Sequence, residues 1–419
     1  MLILSLCQLC GCGALQTVRL RTTTPPGLEK SVTMPEFPNV RAWGDDQASL
    51  KAMIDSQPEK SEPAIAGKAG VDVNTVDYLA LSGGGGDGAY GAGLLCGWSR
   101  TGERPKFKVV TGISTGALMS PYAFLGPDFD DQLKACYTKI SSKDIFKLNS
   151  LMRILFGESL ATTEPLERLV KRYYSEEMIA AVAAEHLQGR RLYVATANLD
   201  AQRPVVWDMG AIACHAVAHR TNAVNGEPRV TTSFNPRAVA LFRKVLIASA
   251  SIPMAFPPQY FDVRVGERVF EEMHVDGGTI NQVFICGVPM KNLASLDTNK
   301  HIRVFVIRNS KIAPDNKTVR PRIHEIGLRS ISTLVKSQGV GSVVRIYEAI
   351  KDQPAEFHFA YIPDDIDTDR DDEFDPAIMR RLFDIGYVLA MHHYPWQHKP
   401  PGLEFATPDS AGSLPSKIK

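Results

Sequence analysis

The sequence has no charge of one sign to spare: 47 Lys and Arg stand against 46 Asp and Glu, a formal net of +1. That balance argues against a nucleic-acid partner, which calls for a basic excess. It says nothing against lipid, because a neutral chain still binds a bilayer through apolar surface. No run reaches the roughly 18 apolar residues of a membrane-spanning helix. No Gly-Lys-[Ser/Thr] follows a glycine run, so a nucleotide phosphate loop is disfavoured. Cysteine is sparse, with seven in 419 residues. Three of them (Cys7, Cys10, Cys12) crowd the start, and Cys7-x-x-Cys10 has no second pair of the kind a zinc site needs. No other metal-ligand cluster appears, and neither metal nor cofactor is expected. Cys96, Cys136, Cys214 and Cys286 are scattered and read as small buried apolar residues.

The first residues, Met1–Leu6, are apolar but lack the preceding Lys or Arg of a secretion signal. They run into Leu9-Cys10-Gly11-Cys12, which resembles the lipobox of bacterial lipoproteins. That resemblance implies a leader over residues 1–16, lipidation at Cys12 and a place in the bacterial cell envelope, lipoprotein-anchored or periplasmic. Without it the expectation is cytoplasmic. Residues 17–74 hold Pro25, Pro26, Pro35, Pro38, Pro58 and Pro63 with little apolar periodicity, and read as linker-like, with a short helix around Asp45–Ile54.

The compact part begins near Val76. Val76–Ser82 reads as a buried strand, and the small residues Ala89–Trp98 as a helix. Phe107–Thr111 is a second strand entering Gly112, and Thr115–Phe124 a second helix. Strand alternating with helix indicates a parallel sheet covered by helices. Further strands are expected at Arg191–Asn198, Arg203–Trp207, Phe256–Val263, Val269–Val275 and His301–Arg308. Helices are expected at Glu164–Tyr174, Ser175–His186, Ala238–Ser249, His324–Lys336 and Pro376–His392, and Asp364–Asp375 as a solvated acidic loop. The fold class is therefore α/β, with a catalytic core over 75–310 and a C-terminal helical extension over 311–419 packed on it.

Three motifs carry chemistry. Gly112-Ile113-Ser114-Thr115-Gly116 follows a strand and opens a helix, the context of a nucleophile elbow. Gly112 and Gly116 remove Cβ atoms that would clash in so sharp a turn, and the helix N-terminus favours negative charge at Ser114. Upstream, seven of the eleven residues Gly83–Gly93 are glycine. Successive bare N–H groups there suit an oxyanion or a phosphate. Gly83-x-Gly85-x-x-Gly88 has dinucleotide spacing, but no acid lies between Lys106 and Leu118 where that reading wants one. An oxyanion hole built from Gly83, Gly84, Gly85, Gly86 and Gly88 is favoured. Downstream, Asp276 ends a strand before Gly277-Gly278 and suits a general base.

In this order the three motifs resemble the patatin-like phospholipase family, over roughly Asp77 to Arg308. Ala248–Pro253 and Phe256-Pro257-Pro258 are also similar to that family's segment before its aspartate. The resemblance implies a three-layer sandwich with a mostly parallel central sheet. It implies a Ser114–Asp276 dyad, the Gly83–Gly88 oxyanion loop, and a lipid or lysolipid substrate met at a membrane surface. Asp87 departs from it, since the family carries Arg or Lys there. An acid facing the oxyanion would oppose it, so Asp87 is expected to point away, toward an arginine. A Ser–His–Asp triad is the rival mechanism, with His274 one strand period from Asp276. Acyl transfer to an alcohol or thiol, and a non-catalytic lipid-binding envelope protein, are the rival functions. Asn149–Gly157 reads as a core helix or a lid.

Overall fold

The computed structural model describes residues 21–57, 75–148, 159, 161–224, 227–285, 301–316, 318–370 and 372–401. Cys12, the 1–16 leader and the Asn149–Gly157 segment lie outside them.

A central sheet contains β1 (Arg41–Trp43), β2 (Thr75–Leu81), β3 (Val109–Gly112), β4 (Arg191–Asn198), β5 (Arg203–Asp208), β6 (Gln259–Val265), β7 (Arg268–Asp276), β8 (His301–Arg308) and β9 (Ala355–Tyr361). Its order is β1-β5-β4-β3-β2-β8-β9, with the β6–β7 hairpin joined through β7 to β4. The run β4, β3, β2, β8, β9 is parallel, and β1, β5, β6 and β7 are antiparallel to their neighbours. A parallel strand is covered on both faces, which is why Tyr78-Leu79-Ala80-Leu81 is a continuous apolar run. Leu79 and Leu81 enter one core cluster; Tyr78 and Ala80 enter the other.

Helices form the outer layers. They are α1 (Gln47–Asp55), α2 (Gly88–Arg100), α3 (Thr115–Leu125), α4 (Asp130–Thr138), α5 (Glu164–Tyr173), α6 (Glu176–Leu187), α7 (Met209–Ala216), α8 (Pro236–Ser249), α9 (Ile323–Ile350) and α10 (Pro376–Met391). Buried residues of α2, α3, α8 and α10 pack on the face of Leu79 and Leu81, while Met53 of α1 and Val343, Ile346 and Ile350 of α9 pack on the opposite face. The fold is thus α/β, a mostly parallel sheet between helical layers.

Among the segments that differ from the sequence reading, three bear on the central sheet and the layers over it. The proline-rich stretch contributes β1, an edge strand whose Ala42 pairs with Val206 of β5. Beyond residue 310 the chain adds a strand as well as helices, since β9 runs parallel to β8 along the other edge. The helix expected at His324–Lys336 extends to Ile350, as α9.

Candidate active site

Ser114 sits between β3 and α3 with φ 56° and ψ −125°. A non-glycine residue there is strained, and the strain is held only because the surroundings fix it. Two contacts do so. A Cβ on Gly116 would fall 2.4 Å from the Leu81 carbonyl oxygen, and one on Gly112 would fall 2.3 Å from that of Gly116. Only glycine lets β2, β3 and α3 approach this closely. The Ser114 N–H donates to Ser249 Oγ at 3.0 Å, and that hydroxyl donates to the Ala195 carbonyl at 2.7 Å. The Tyr137 hydroxyl lies within hydrogen-bond distance of both the hydroxyl and the carbonyl of Thr115, at 2.9 and 2.8 Å.

Asp276 arrives from the antiparallel side. β3 pairs with β4 only as far as Gly112 opposite Val194. β7 then pairs with the end of β4, placing Asp276 opposite Thr196. The aspartate therefore meets the turn where β3 stops. Its N–H donates to Ser251. Its carboxylate accepts the Gly278 N–H at 2.7 Å, and the Ser114 side chain is close enough to favour its charged form. Asp276 is 4% exposed. Burial pushes its carboxyl up to about 7, against the downward pull of the Ser114 side chain and the Gly278 N–H. Gly277 and Gly278 form a short 3-10 turn after it, with Gly277 set against the Ala195 carbonyl.

The glycine run leaves β2 and enters α2 beside the same turn. A Cβ at Gly83 would stand 3.2 Å from Ser114 Cβ. Its amides are not equivalent. The Gly83 N–H donates to the Gln282 carbonyl, that of Gly86 to the Glu373 carboxylate, and that of Gly88 to the Gly85 and Gly86 carbonyls. The N–H groups of Gly84 and Gly85 have no partner among the described residues, and neither has that of Thr115 at the start of α3. Three of the five glycines expected to donate to an oxyanion thus have their amides engaged, because the loop's own turn and two neighbours use them.

The patatin-like phospholipase family model matches residues 79–285, which contain Ser114, Asp276 and the Gly83–Gly88 run. Those residues form a patatin-like phospholipase domain. No curated protein matches it. Among solved structures it is similar to VipD from Legionella pneumophila, with 12% identity and a TM-score of 0.36, covering 76% of this chain and 66% of that one. The chain thus spans just under two thirds of VipD.

An apolar cavity of about 80 Å³ reaches Ser114, Thr115 and Gly85, with walls from the 79–285 domain and from the segment around α10. Leu118, Ile140, Val170, Phe256, Phe374 and Met379 are among its walls. Cys136 also lines it, but burial pushes that thiol up to about 12, leaving it protonated and weakly nucleophilic.

The acidic segment before α10 does more than solvate. Arg370 pairs with Asp87, Glu373 takes the Gly86 N–H, and Phe374 reaches the cavity. The acid at position 87 is turned from Ser114 toward an arginine. Nothing local in the sequence singles out Arg370, which is 283 residues away. His274 lies elsewhere: its ring nitrogens engage Thr196 Oγ1 at 2.8 Å and Glu272 Oε2 at 3.0 Å, and the ring packs on Phe261 and Trp207. Among the described residues no histidine bonds to Ser114 or Asp276. Ser249 is a positioning residue to which the sequence assigns no role; it lies in the Ala248–Pro253 stretch noted above only for its family resemblance.

Proposed function

We propose that this patatin-like protein is a serine lipid-acyl hydrolase in which Ser114 is the nucleophile and Asp276 its general base. The family supports lipid-ester hydrolysis in general. The observation that carries the finer reading is that the strained turn at Ser114 and the end of the strand carrying Asp276 converge, setting beside the serine a buried carboxyl that is raised to about 7. A base poised near neutrality is the one that takes a proton and returns it within one cycle.

As Ser114 Oγ attacks the acyl carbonyl, its proton passes to Asp276. The carbonyl π electrons move to oxygen, and the N–H groups of Gly84, Gly85 and Thr115 are the donors available to that oxyanion. Collapse expels the alcohol, which takes the proton from Asp276 and leaves an acyl ester on Ser114. Water then repeats the sequence, with Asp276 as base, and releases the fatty acid. The cavity accepts the acyl chain, since its walls are almost wholly apolar. Membrane-surface substrate and envelope attachment through a lipidated Cys12 belong to the same proposal; loss of metabolic fatty-acid label in Cys12→Ala checks the latter.

Mass spectrometry of products from a mixed lipid extract tests the reaction. Wild type should release free fatty acid and Ser114→Ala should not. Equal product profiles would remove the enzyme reading. Acyl esters of added glycerol in place of free acid would mark a transferase.

A further inference from the structure

α9 changes what it faces along its length. Its C-terminal half buries Val343, Ile346 and Ile350 against the sheet. At about 100° per residue, Ile323, Ile326 and Leu334 fall on the opposite side, within about 80° of one another. They are 90%, 50% and 70% exposed. An apolar stripe open to water on a helix that already has its buried face is not explained by the fold.

The stripe continues to the rim of the cavity. A Cβ at Gly327 would lie 3.8 Å from Met254 Cε. Met254 is itself exposed and stands between Ile252 and Phe256, which both line the cavity. The segment is basic: from Arg320 to Lys336 the chain carries Arg320, Arg322, Arg329 and Lys336 against the single carboxylate Glu325, with Asp315 paired to Lys336.

We propose that this stripe, from Ile323 to Leu334 with Met254, docks on an anionic phospholipid bilayer and sets the cavity mouth at the lipid surface. Apolar side chains entering the interface between cations that meet anionic head groups is how monotopic helices bind. A second copy of the chain fits less well, because a handful of side chains falls short of the roughly 800 Å² per partner of a stable dimer. Delivery of substrate rests on the hydrolase reading; docking itself does not.

The test separates the two. Full-length Ser114→Ala protein is floated with vesicles of equal parts phosphatidylcholine and phosphatidylglycerol. It should bind them, bind pure phosphatidylcholine more weakly, and bind less as salt rises. Adding Ile323→Ser, Ile326→Ser and Leu334→Ser should weaken binding on the order of a hundredfold. With Ser114 retained, the same triple variant should hydrolyse a soluble short-chain ester at the wild-type rate, which shows it folded. Undiminished flotation of the triple variant overturns the proposal, as does failure of the parent to bind. A dimer that the triple variant dissociates overturns it in favour of a second copy. Flotation without any wild-type ester turnover sinks the hydrolase reading and leaves docking standing.

Discussion

The Arg370 guanidinium pairs with the Asp87 carboxylate, and Glu373 three residues on accepts the Gly86 N–H at 3.2 Å. An acid within the glycine run is thereby answered from the segment before α10. Burial raises the Asp87 carboxyl to about 6 even beside Arg370, so removing the guanidinium leaves a poorly solvated acid next to Gly85 and Gly86. Arg370→Ala should lower kcat on a soluble ester at least about tenfold, equivalent to ~1.4 kcal/mol. Asp87→Asn in that background should restore part of it. A double-mutant cycle should give a coupling of about 0.5–3 kcal/mol; additive effects would deny the pair any role in holding the loop.

Ser249 bridges two otherwise unrelated parts of the site, the Ser114 N–H and the Ala195 carbonyl. Ser249→Ala leaves the Ser114 N–H in a dry interior with no acceptor. Orphaning a buried donor costs about 1–3 kcal/mol. Urea denaturation should register that loss, and kcat should fall with it because the strained Ser114 backbone loses its tether. Wild-type stability and turnover in the alanine variant would show that the bridge does nothing.

The raised carboxyl of Asp276 gives two pH signatures of opposite sense. Only the carboxylate serves as base, so kcat/KM on a soluble ester should climb about tenfold per pH unit below 7 and level off above it. Stability runs the other way. The folded protein keeps a proton at Asp276 that the unfolded chain loses near pH 3.8, so this residue's contribution declines as pH rises from about 4 to about 7. Asp276→Asn has no such decline. The difference in Tm between this variant and wild type should therefore become more favourable to the variant from pH 5 to pH 8. A difference independent of pH would place the aspartate's pKa elsewhere.

Much of this site is legible in the chain because it is written locally. Gly112–Gly116 and Gly83–Gly88 are contiguous runs at strand–helix junctions, visible as such even though most of the contacts that demand their glycines lie far along the chain, Leu81 for Gly116, Asn309 for Gly84 and Glu373 for Gly85. β4 spans Arg191–Asn198, the bounds its composition suggests. What is not legible is long-range. β9 escapes because Ala355–Tyr361 mixes Glu356 and His358 into an edge strand open to water on one side. β1 has only three residues and takes its form from pairing with β5. The division of the glycine amides is invisible for the same reason, since Gln282 and Glu373 engage them from far along the chain.

Two glycines in helices set local propensity against tertiary contact. Replacing glycine by alanine inside a helix is favourable by about 0.8–1 kcal/mol on propensity alone. At Gly341 in α9 an added Cβ would meet nothing nearer than Arg345 Nη1 at 3.9 Å. Gly341→Ala should therefore stabilise the protein by roughly that amount. Gly116 in α3 has the same propensity to gain, yet its Cβ would stand 2.4 and 2.6 Å from the carbonyl oxygens of Leu81 and Ser82. Those atoms are backbone and cannot rotate aside, so α3 and the end of β2 must separate. Gly116→Ala should cost at least about 2 kcal/mol, the overpacking penalty exceeding the propensity gain. The separation also moves Gly84 and Gly85 relative to Ser114, so turnover should fall by more than the unfolded fraction explains. Equal urea midpoints for the two variants would show that the approach of β2 to α3 is not what the glycine at 116 is there to permit.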